Sequence, residues 1–215
     1  MLRNVASNWG NVVLALLTTA LLLPINLRFI GSTSYGAWLV IMALSAYLLL
    51  LQLGLPLALV RHYSVAKARD DVGLMRRIAA SNLATGLLTG MVALALLPAL
   101  DFYLQRTLHQ DPALLADARF ALKLLAVTSA LTILWQTPHA IVSAYQAFVP
   151  LNIAKATIIC IKVAINLVAI RYYPSIVTLA VVQLLGAIME FLAFSFLALR
   201  LVPFRRFGFG DFFVP

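Results

Sequence analysis

The sequence predicts an all-α integral membrane protein built as a bundle of six transmembrane helices. Three observations carry this. Hydrophobic residues make up 63% of the chain against 11% charged, with a mean hydropathy of +0.99, whereas soluble domains carry roughly 25% charged residues. The uncharged intervals are long enough to cross a bilayer, which takes about 20 residues of helix. Short basic interludes separate them.

Each element follows from these intervals. Between Arg3 and Arg28 lie 24 uncharged residues, between Arg28 and Arg61 there are 32, and between Arg77 and Asp101 there are 23. They predict spans over 8–27, 36–60 and 78–100. A polar stretch from Asp101 to Arg119 then forms the longest outer segment. The 31 uncharged residues between Lys123 and Lys155 hold a fourth span over 120–144 and a turn at Val149–Asn152, marked by Pro150. A fifth span covers 152–171, Tyr172–Pro174 make a short connection, and the sixth covers 175–199. The membrane domain is thus 1–200, and 201–215 read as a basic, aromatic interfacial tail or a linker to a further lobe. No cleavage site follows the first hydrophobic region, so that segment is expected to be retained.

Lys and Arg number 16 against seven Asp and Glu, giving a net charge of +9. With a cytoplasmic N-terminus, ten of these cations fall in inside loops and four outside, Lys123 and Lys162 lying within spans. The bias predicts both termini inside. Basic loops against anionic lipid account for the charge, and no nucleic-acid motif accompanies it. The single Cys160 excludes an internal disulfide and a multi-cysteine metal site.

Polar residues recur along single helix faces. Asn4, Asn8, Asn11, Thr18 and Asn26 share a side of the first span, Ser45 and Gln52 of the second, Gln136, His139 and Ser143 of the fourth, and Lys155, Lys162 and Asn166 of the fifth. Such seams serve as interhelical hydrogen-bonding glue worth about 0.6 kcal/mol per contact. Their recurrence on nearly every span, with charges on two, favours a polar lumen formed by Asn8, Asn11, Asn26, Gln52, Gln136, His139 and Asn166. Lys162 is about 15 Å along the helix from its Tyr172 end, too deep to snorkel, so it faces a cavity or a partner. Glu190 is the candidate partner. Depth along antiparallel helices matches Glu190 better with Lys155, leaving Lys162 with spare positive charge.

Enzymatic patterns are missing: there is no HExxH, no GxSxG and no close acidic pair at a span centre. No phosphate-binding glycine loop for ATP occurs, and no cofactor is expected.

At the first two spans, Leu27–Gly31, Tyr35-Gly36, Leu53–Leu55 with Ala58–Arg61, and the basic run ending at Asp70-Asp71 resemble the O-antigen flippases of the multidrug/oligosaccharidyl-lipid/polysaccharide exporter superfamily. Gln52 departs from the acidic residue often found there. Members of that superfamily have two lobes, and this chain resembles the N-terminal lobe. The resemblance implies a multi-pass protein of a bacterial inner membrane that moves a polyprenyl-diphosphate-linked oligosaccharide by alternating access. Its partners would be membrane lipids and either a C-terminal lobe or a second copy. A diphosphate crossing the bilayer needs cations at successive depths, a role expected of Arg28, Arg61, Lys155 and Lys162. Alternatives are a drug exporter of the same superfamily, which calls for acidic lumen residues, and an enzyme or accessory subunit of lipid-linked glycan assembly.

Overall fold

A computed structural model describes residues 2–50, 54–107 and 111–201. Its elements are α1 (Leu2–Leu50), α2 (Leu55–Ala68), α3 (Val72–Ala95), α4 (Leu97–Thr107), α5 (Pro112–Ala144), α6 (Phe148–Tyr172) and α7 (Ile176–Leu201). Among the described residues five segments are long and apolar enough to cross a membrane: Ser7–Leu48, Val72–Thr107, Pro112–Ala144, Phe148–Tyr172 and Ile176–Leu201. The described residues thus form an all-helical fold of membrane-spanning type. Where six spans were expected there are five such segments, because the first contains both 8–27 and most of 36–60.

That first segment is not straight. Gly31 has φ 81° and ψ 162°, backbone angles that a residue with a Cβ adopts only under strain. Ala15 and Met42 line one cavity, although a straight helix would hold them about 40 Å apart at 1.5 Å per residue. Gly31 thus folds the second limb, 32–50, back toward the first, 2–30. The predicted span 36–60 also runs through a second break, where Gly54 takes φ 79° and Pro56 opens α2.

The outer segment expected from Asp101 to Arg119 is mostly helical. Asp111 caps α5, its carboxylate accepting hydrogen bonds from the Ala113 and Leu114 amides at 3.0 Å each, and Pro112 suits the first helical position. Arg119 then binds Asp101 through two hydrogen bonds of 2.9 and 3.2 Å, tying α4 to α5. At the opposite end Asp71 caps α3 by accepting from the Leu74 amide at 2.9 Å. Of the expected tail 201–215 only Leu201, the last residue of α7, is described, and Gln52 lies outside the described residues.

Helix α5 is the hub, packing against α7, α3, α1, α2 and α4, while α6 packs on α7 and α1. Trp38, Ile41, Leu104, Leu122, Ile170 and Ile176 form a core at one end of the bundle. Two smaller clusters, around Tyr63 and Ala140 and around Val142 and Phe194, form the other. Leu16, Leu57, Leu88, Met91, Ile153 and Leu192 are exposed on the outside. So much apolar surface is untenable in water and suits hydrocarbon.

Candidate functional site

A cavity of about 400 Å³ opens between the two limbs of α1 and helices α6 and α7. Thr18 and Asn26 reach it from the first limb, Tyr35 and Trp38 from the second, Lys162 and Asn166 from α6, and Gln183 from α7. Its existence follows from Gly31, since only a folded α1 can present both limbs to one space. Lys162 is the only charged residue among its described lining.

The Lys162 ammonium donates to Gln183 Oε1 at 2.7 Å. Its stem lies against Gly186, where a Cβ would sit 2.7 Å from Lys162 Cε, so the missing side chain at 186 is what lets the lysine lie flat on α7. Asn26 and Asn166 are buried, at 7% and 5% exposure. The Oδ1 atom of each is buried without a hydrogen-bond partner. An unpaired buried acceptor costs about 1–3 kcal/mol, and two on one cavity mark a place where a hydrogen-bond donor belongs.

The other expected lumen residues are placed differently. Asn8 and Asn11 meet Asn152 at the start of α6. Asn152 Nδ2 donates to Ser7 Oγ at 2.9 Å and to Asn8 Oδ1 at 2.5 Å, and Asn11 Nδ2 donates to the Asn152 carbonyl at 3.1 Å. This is a clamp between α1 and α6. His139 lies 3.2 Å from the Lys155 ammonium through Nε2, with its ring against Trp135 and Phe194 at 5.1 and 5.6 Å between centroids. Gln136 is half-buried and partnered.

Depth had matched Glu190 to Lys155. In the structure the Lys155 ammonium lies against His139 on α5. Depth along two helices says nothing of a third, and it is α5 that presents His139 to Lys155. Nor are the four expected cations brought together, since Arg28 and Arg61 are exposed and line none of the described cavities.

Sequence reasoning missed Gln183 and Gly186. Their signal was present: 183, 186 and 190 step by three and four along α7 and share a face, but a glutamine and a glycine in an apolar helix look unremarked beside the charge. Among the described residues no cluster of His, Cys, Asp and Glu is large enough to hold a metal ion.

The class defined by fold and site is a membrane-spanning helical protein with a polar cavity between its helices. Comparison with known protein families, with curated proteins and with solved structures finds no match.

Proposed function

We propose that the chain forms one six-span lobe of a flippase that translocates a polyprenyl-diphosphate-linked oligosaccharide across a bacterial inner membrane by alternating access. The count becomes six when the two limbs of α1 are taken as separate spans. The observation that carries the reading is the cavity itself. One lysine with no carboxylate beside it in the lining, and two buried amide oxygens without donors, suit a ligand that is both anionic and rich in hydroxyl groups. A glycan phosphate has that chemistry. The volume lies in the range of small-molecule sites, about 300–1,000 Å³. An exporter of cations would need acidic lining, and the cavity has none among its described residues.

Orientation is supported by the ends of the bundle. Arg61, Lys67, Arg69, Arg76, Arg77 and Arg200 belong to the end formed by α2, the start of α3 and the close of α7, a clustering that supports a cytoplasmic reading of that end under the positive-inside rule. A C-terminal lobe or a second copy would supply the far wall of the path. The test is Lys162→Ala in the intact protein, assayed by export of labelled lipid-linked glycan from vesicles at matched abundance. Export falls to background, and Lys162→Arg keeps part of it. Unchanged export by Lys162→Ala would remove the cavity from the transport path.

A further inference from the structure

A second cavity, about 280 Å³, lies on the other side of α7. Its floor is α5, from Leu134 to Tyr145. Its walls are α3, from Met75 to Leu83, and α7, from Phe191 to Leu199, with Tyr63 of α2 closing one end. Helices α3 and α7 both pack on α5 but scarcely touch each other. Small residues hold the gap open: Ala79 on α3, Pro138 on α5, Ser195 and Ala198 on α7. At 1.5 Å per residue the walls run about 12 Å along the bundle, so the space is a slot parallel to the helices.

The slot has a polarity. Met75, Tyr145 and Leu199 all lie at the end of the bundle that bears the basic α2–α3 corner. There the Lys67 ammonium sits 4.3 Å from the centre of the Tyr145 ring, and that ring lines the slot. Lys67 is one helical turn beyond Tyr63, on the same face of α2. Toward Leu83, Leu134 and Phe191 the lining is apolar apart from Thr137, which binds Asn82, and Ser195. A mainly apolar slot with the Lys67 ammonium beside its basic mouth is complementary to an amphiphile carrying a negative head.

The geometry points to a binding site for one anionic membrane phospholipid, an acyl chain lying between α3 and α7 and its phosphate at Lys67. The site is separate from the polar cavity and does not depend on the transport reading. It is tested on delipidated protein in detergent, titrated with dioleoyl phosphatidylglycerol or dioleoyl phosphatidylcholine, bound lipid being counted by native mass spectrometry. One phosphatidylglycerol is retained in preference to phosphatidylcholine by about fivefold, the discrimination expected of one lysine near an anionic head. Lys67→Gln abolishes the preference while leaving tail-driven binding. Ala79→Phe, which fills the slot, abolishes both.

Equal retention of the two lipids, or full retention by Ala79→Phe with intact helical circular dichroism, would overturn the assignment. One-for-one displacement by a polyprenyl diphosphate would overturn it in favour of the carrier lipid, and dissociation of a dimer by Ala79→Phe in favour of a second copy. Should Ala79→Phe fail to fold, the Lys67→Gln measurement decides alone.

Discussion

Helices α1 and α6 meet through asparagines at two levels, and the two meetings are opposite in kind. At the α6 start, Asn8, Asn11 and Asn152 satisfy one another and Ser7. Nearer the α6 end, Asn26 and Asn166 face one cavity with both amide oxygens unpaired. Residue type, helix pair and spacing are alike. What separates interhelical glue from a binding site is whether each polar atom has a partner, a property of two helices together that periodicity along one cannot express.

The strongest way to break this comparison is to remove the unpaired amides. Asn26→Leu with Asn166→Leu keeps or raises stability, by about 1 kcal/mol or more, because each change removes a buried acceptor that has no partner. Vesicle export, however, falls by about tenfold or more, the loss of one to two hydrogen bonds to the passing ligand. A large stability loss without an export defect would make these amides structural. Accessibility sharpens the contrast next. Asn166→Cys on a Cys160→Ala background reacts with a membrane-impermeant maleimide about tenfold faster than native Cys160, which is exposed on the outer face of α6, where hydrocarbon keeps out a water-borne reagent. Equal rates would mean that water does not reach the cavity.

The clamp makes the converse expectation. Asn152→Leu removes the hydrogen bonds to Ser7 and Asn8 and destabilises the protein by about 1–2 kcal/mol, read as a shifted unfolding midpoint in mixed micelles, while export per folded molecule stays unchanged. The smallest effect belongs to Gly186→Ala. The new methyl displaces the flexible end of Lys162 from Gln183 at little cost in stability, within about 1 kcal/mol, and export drops a few-fold; a drop equal to that of Lys162→Ala would show that Gln183 is indispensable to it.

Much of the fold was legible in charge-free intervals. Spans 152–171 and 175–199 fall within a few residues of α6 and α7, since Lys, Arg and turn residues mark helix ends directly. Lys162, Asn26 and Asn166 were legible for the same reason, as polar groups where hydrocarbon should be. The fold-back of α1 was not, because it depends on the φ of a single glycine, and Gly31 looks like Gly36, which remains helical. The helical content of the Asp101–Arg119 stretch was hidden by its polarity, although Asp111-Pro112 is a helix-start signal. Partnerships were least legible. That Lys155 turns to His139 is decided by the packing of α5, invisible from the depth of either residue in its own helix.

The first limb of α1 is held at two points, the asparagine clamp at one end and Gly31 at the other. Between them Val12, Val13, Leu16 and Leu17 face outward, and the side toward the bundle is cavity rather than core. In mechanical terms it is a beam supported at its ends, with nothing beneath its middle. Its bending stiffness there is closer to that of one helix than to that of a packed bundle, so deflection at mid-length changes the space behind it. Whatever binds against that outer face acts on the volume of the cavity, and the clamp sets where the deflection must vanish.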